Sequence, residues 1–191
     1  MATTRSSVRI ALALVVFAFF PISARAIQAP DATPSPASSK APLIAGVVID
    51  EAGITMPDLQ RSRELVLNLF DRLPAGSQMV VAAFSGEKRI VLPPSSDRAQ
   101  IAGALEGFKP GENAVALPDG LFDVVEYLTG RPAEARVLIL FSAGRLRDGD
   151  LQFEDPLNIA SSKQLRIFAV ALGQGDGKML RRVAKLTGGE Y

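Results

Sequence analysis

Two hydrophobic rhythms alternate along the chain. Short, nearly unbroken apolar runs fall at residues 43–49 (LIAGVVI), 77–84 (SQMVVAAF), 137–141 (VLILF) and 165–172 (LRIFAVAL). Each is too short for a helix and is written as a strand buried on both faces. Between them, apolar residues recur every three or four positions. Leu59, Val66, Leu69, Phe70 and Leu73 mark one helical face, starting near Met56 and closed by Pro74-Ala75-Gly76. Thr55 and Asp58 have capping-box spacing at its start, with Pro57 in the first turn, where its missing N–H costs nothing. A second helix, opened by Ser95 and Ser96, carries Ile101, Ala104, Leu105 and Phe108, and a third carries Leu117, Leu121, Val124, Val125 and Leu128. A fourth runs from about Pro156 to Gln164, and a fifth holds Leu180, Val183, Ala184 and Leu186.

Residues 88–92 (KRIVL) follow the turn Ser85-Gly86-Glu87 and read as a shorter, more polar edge strand in a hairpin, broken by Pro93-Pro94. Strands alternating with helices predict an α/β fold, a mainly parallel sheet covered on both faces. The first run stops on Asp50. In a doubly wound sheet the carboxyl ends of the strands open into the crevice where ligands bind, so an acid at that point is a candidate functional residue.

Composition narrows the chemistry. The 191 residues include no Cys, no His and no Trp. Thiolate or imidazole zinc sites, Ser-His-Asp triads, Cys nucleophiles and disulfides are thereby excluded. At the N-terminus Arg5 and Arg9 precede an apolar run from Ile10 to Phe20, then Pro21 and Ala24-Arg25-Ala26. This is a secretory signal pattern spanning residues 1–26, with cleavage expected after Ala26 and a secreted or periplasmic destination; an uncleaved anchor is the alternative. Residues 27–42 (IQAPDATPSPASSKAP) read as a flexible Pro/Ala/Ser-rich linker. The whole chain carries a formal charge of +1, but the first 26 residues hold three arginines and no acid, leaving 18 basic against 20 acidic residues, or −2. Such a balance offers no electrostatic footprint for nucleic acid.

From Leu43 to Tyr191 the order of motifs resembles a von Willebrand factor type A domain, the fold shared with integrin I domains. The resemblance runs through a strand ending in Asp, a helix, a hairpin, a strand ending in a small-residue turn, and the tail ALGQGDGKMLRRVAKLTGGEY, with its G-x-G and T-G-G-x-Tyr pattern. It implies a three-layer, doubly wound sheet of order 3-2-1-4-5-6 with one antiparallel edge strand. Gly188-Gly189-Glu190-Tyr191 resembles the turn entering the family's last strand. The expectation is a last strand and covering helix cut short, with an open C-terminal edge able to self-associate.

The family's metal-ion-dependent adhesion site draws on three loops, and this sequence departs from it. Asp50 stands at the first acid, but Ala52 and Ile54 replace two hydroxyl residues, Val115 replaces a Thr, and Ala143 replaces the Asp of the third loop, Ser142-Ala143-Gly144. The expectation is a degenerate site holding no metal, because Mg²⁺ requires near-octahedral oxygen ligation. The implied function is non-enzymatic: binding of a protein partner or adhesion, with no cofactor, through a polar rim of Asp50, Glu51, Glu112, Asn113, Ser142 and Arg145. Asp50 and Glu51 are neighbours on a strand and point to opposite faces, so they cannot act as a paired acid and base. The acids Asp148, Asp150, Glu154 and Asp155 read as a solvated loop rather than a calcium loop. Two alternatives stand beside this reading. One is a Rossmann-like enzyme or nucleotide-binding protein using the glycine loop 173–177, although G-x-G-x-G is not the dinucleotide fingerprint. The other is a structural domain with no ligand.

Overall fold

The computed structural model describes residues 41–85, 87–111, 117–133, 135–144, 154–173 and 177–191. The signal segment, the linker up to residue 40, Glu112, Asn113, Val115, Arg145, Asp148 and Asp150 lie outside the described residues. The elements, in order, are β1 (Ile44–Asp50), α1 (Met56–Phe70), β2 (Gln78–Ser85), β3 (Glu87–Ser95), α2 (Arg98–Glu106), α3 (Leu117–Thr129), β4 (Arg136–Ser142), α4 (Glu154–Ser162), β5 (Arg166–Ala171) and α5 (Gly177–Leu186). Among the described residues no helix is long and apolar enough to cross a membrane.

The strands form one sheet of order β3-β2-β1-β4-β5. All pairs are parallel except β2–β3, so the expected order and antiparallel edge are present across the five strands. Strand alternation divides the core in two. Ile44, Val48, Leu138, Leu140, Ile167 and Ala169 face one layer, packed by α3, α4 and α5. Ala45, Val47, Ile49, Ile139 and Phe141 face the other, packed by α1 and α2. Each α-helix on the first layer lays an apolar stripe on the sheet, as Leu121, Val124, Val125 and Leu128 do for α3. At Gly46 the sheet is thin enough for Leu128 to rest on it; a Cβ there would meet the Leu128 side chain.

The predicted capping box at α1 is formed: the Thr55 hydroxyl accepts from the Asp58 N–H at 3.3 Å, and the Asp58 carboxylate accepts from the Thr55 N–H at 3.1 Å. Three local expectations need correction. The edge strand does not break at Pro93-Pro94 but continues to Ser95, which pairs with Met79. Proline is tolerated there because β3 is an edge strand, and the register shifts between Met79 and Val81 as the ladder passes the prolines. Helix α2 is capped not by Ser95 or Ser96 but by Asp97, whose carboxylate accepts from the Ala99 N–H at 2.8 Å. The outer edge of β5 is not bare over Ile167–Ala169. There the Ile167 N–H donates to Thr187 Oγ1 at 3.1 Å and the Ala169 N–H to the Glu190 carbonyl at 2.9 Å.

Candidate functional site

Asp50 and Ser142 end neighbouring parallel strands, one step beyond the pair Ile49 and Phe141. Both fall on the alternation that faces α3, α4 and α5, so their side chains turn the same way. The Ser142 hydroxyl donates to Asp50 Oδ2 at 2.7 Å, and the Ala52 N–H donates to Asp50 Oδ1 at 3.0 Å. Ser142 Oγ in turn accepts from the Gly144 N–H at 2.9 Å. Gly144 itself lies in the left-handed region, φ 68°, which suits glycine. Asp50 is 3% exposed and Ser142 0%. Burial pushes the Asp50 carboxyl above its ordinary value; the bonds from Ser142 and Ala52 oppose this, and the neighbouring Glu51 charge adds to it.

Glu51 points the other way, as its position on the strand requires. Its Oε1 accepts from the Lys109 N–H at 2.7 Å, in the loop after α2. The backbone makes a short parallel bridge alongside: Gly111 N–H to the Glu51 carbonyl at 2.8 Å and Gly53 N–H to the Gly111 carbonyl at 3.0 Å. That loop is held from beneath by Arg63 of α1. Its guanidinium donates to the carbonyls of Leu105 at 2.9 Å, Glu106 at 3.2 Å and Phe108 at 2.8 Å. Arg63 thus closes the end of α2. No periodicity or motif marks Arg63 or the Lys109 N–H, because each acts on backbone groups distant in sequence.

Of the six residues expected to form a polar rim, three are described, and all three are buried: Asp50, Glu51 and Ser142. They are internal braces at the strand ends. Ala52, Ile54 and Ala143 are buried as well, and Ile54 and Ala143 belong to the α1–α2 core. Among these positions of the family's metal site, only Asp50 offers a side-chain oxygen, and both its oxygens already accept hydrogen bonds. Such a donor set does not fit a hard divalent cation, which takes six or more oxygens. Among the described residues no group of three or more acidic side chains is placed to hold a metal ion.

The glycine loop is described only at its two ends. Gly177, the first residue of α5, lies under the Tyr191 phenol; a Cβ at Gly177 would collide with the Tyr191 hydroxyl. Arg181 stacks over the same ring, 4.5 Å from its centroid. The last glycine of the loop is thus packed against a side chain of the chain itself.

Residues 46–190 match the von Willebrand factor type A domain family. No curated protein matches. Among solved structures, an aerotolerance-related membrane protein from Bacteroides fragilis superposes with a TM-score of 0.63 at 15% identity, covering 78% of this chain and 90% of its own. A von Willebrand factor type A protein from Catenulispora acidiphila gives 0.64 at 17%, covering 78% and 38%. The proximal thread matrix protein 1 of the mussel byssus, solved with zinc in its MIDAS motif, gives 0.64 at 19%, covering 79% and 43%. At these identities the likeness is one of fold.

Proposed function

The chain belongs to the von Willebrand factor type A domain family, and on that footing we propose that it is a non-enzymatic binding domain, working outside the cytoplasm, that engages a protein partner without a metal ion. Domains of this family generally mediate protein–protein interaction or adhesion. The observation that carries the metal-free reading is the donor set at the end of β1. Asp50 accepts one bond on each oxygen, from Ser142 and Ala52, while Ala52, Ile54 and Ala143 bring no side-chain oxygen to the further positions of the family's site.

Partner contact then falls to the loops over the strand ends. Glu112, Asn113 and Arg145 are the contact residues in this reading, and Asp50, Glu51 and Ser142 brace the strand ends. The leader supports export: a charged start, an apolar run and Ala24-Arg25-Ala26.

Calorimetric titration with Mg²⁺, Mn²⁺ and Ca²⁺ tests the metal-free site. No heat that depends on Asp50 is expected, and a micromolar site abolished by Asp50→Ala overturns the reading. Cross-linking and pull-down from the native envelope tests partner binding. The capture should survive EDTA and be lost in a Glu112→Ala, Asn113→Ala, Arg145→Ala variant. N-terminal sequencing of the exported chain should begin at Ile27.

A further inference from the structure

The three helices on one layer of the sheet carry an uneven distribution of charge. Helix α3 (LPDGLFDVVEYLT) has three acids, Asp119, Asp123 and Glu126, and no basic residue. Their spacing of i, i+4 and i+7 places them in one stripe opposite the buried face of Leu121, Val124, Val125 and Leu128. Helix α5 (GKMLRRVAKL) is its mirror: Lys178, Arg181, Arg182 and Lys185, and no acid. These lie at i, i+3, i+4 and i+7, opposite the buried Leu180, Val183 and Ala184. Each stripe spans about 10 Å, given 1.5 Å of rise per residue. All seven residues are exposed.

Helix α4 lies between the two, packed against α3 on one side and α5 on the other. Its outward residues include Asn158, Ser161 and Ser162. Its first turn also holds Glu154 and Asp155, and Glu154 is engaged by Arg182 at 3.3 Å, both side chains more than 60% exposed. A pair so exposed contributes little and is easily exchanged. Two further cations border the acidic side: Lys163 after α4, which lines an open groove of about 610 Å³ with Asp123, Glu126 and Tyr127, and Arg131, stacked 3.5 Å from the Tyr127 centroid.

The occupant that complements a basic stripe and an acidic stripe of equal length, set on either side of one helix, is a second copy of this chain. A half-turn about an axis along α4 brings the two layers face to face and lays each α3 on the α5 of the other copy. Both charge contacts are made at once, and the assembly closes as a two-fold dimer. We infer that the α3–α4–α5 face is a salt-sensitive homodimer interface, with the acidic stripe of α3 pairing with the basic stripe of α5 of the second copy.

The test uses the full chain in a non-ionic detergent, by sedimentation velocity across a dilution series. A dimer is expected at ~20 mM salt, with association at least about tenfold weaker at ~500 mM, where charges are screened beyond roughly 4–5 Å. Arg181→Glu with Lys185→Glu should give a monomer, and so should Asp123→Lys with Glu126→Lys. Circular dichroism and thermal melts verify that both variants are folded. Mixing the two variants should restore a dimer, because the intact α3 of one meets the intact α5 of the other, and the reversed faces complement each other. A monomer at every concentration and salt overturns the inference, as does a dimer indifferent to both reversals, or species larger than a dimer. Anionic phosphatidylglycerol vesicles are the control for the basic stripe. Monomers that bind them, and lose that binding only with the α5 reversal, would assign the stripe to lipid instead.

Discussion

Asp50 is a carboxylate kept out of water by the fold and held by two donors. Because burial raises its pKa, the folded chain holds the proton more tightly than the unfolded chain does. The contribution of Asp50 to stability therefore falls as pH rises through the interval from the ordinary value of 3.8 up to the raised one, and is flat above it. Asp50→Asn removes this dependence. Its stability relative to the parent should increase with pH across that interval, as read from urea denaturation at a series of pH values. Ser142→Ala removes the hydroxyl donor from Oδ2 and should cost about 1–3 kcal/mol at neutral pH, shrinking at low pH where Asp50 is protonated. A loss independent of pH would show that Ser142 acts by packing alone. That Asp50 and Ser142 end neighbouring strands was legible in the sequence, since both residues end apolar runs and the family resemblance makes those runs neighbours; that they are buried braces rather than a polar rim was not. The bracing of Glu51 was not. Its donor is the Lys109 N–H, 58 positions away, and a backbone group leaves no mark in the side-chain pattern.

Among the elements, the clearest contrast is between two glycines of the C-terminal segment. At Gly189 an added Cβ would collide with the Ile167 carbonyl, backbone against backbone, where Glu190 pairs with β5. At Gly177 the obstacle is the tip of Tyr191, which is 48% exposed and free to swing away. Gly189→Ala should therefore lower stability by more than about 2 kcal/mol, and Gly177→Ala by under about 1 kcal/mol, in chemical denaturation. Equal costs would mean that the Tyr191 ring is as fixed as the sheet. At the other end of the fold, Thr55→Ala removes the hydroxyl of the α1 capping box and should cost about 1 kcal/mol. That cap was readable from Thr55-Met56-Pro57-Asp58, because its chemistry is local. The extension of β3 through Pro93-Pro94 was not, because proline's effect on a strand depends on whether its missing N–H would have faced a partner. The sequence around the prolines does not say which side of β3 is free.

For the whole molecule the sheet acts as a partition. Ile49 faces the layer closed by α1 and α2, and Ile167 faces the layer closed by α3, α4 and α5; both are fully buried. The two side chains belong to different clusters, so a void opened beside one is relaxed by neighbours that do not touch the other. Ile49→Val and Ile167→Val should each cost about 0.5–1.5 kcal/mol. Their sum should describe the double variant to within about 0.5 kcal/mol. The same five strands supply both layers, so neither core can melt while the other keeps its sheet. Thermal unfolding of residues 43–191 should accordingly be one transition in the parent and in every variant, with calorimetric and van't Hoff enthalpies equal. A second transition in Ile167→Val alone would show that α5 and the segment Thr187–Glu190, at the outer edge of β5, come away before the rest of the domain.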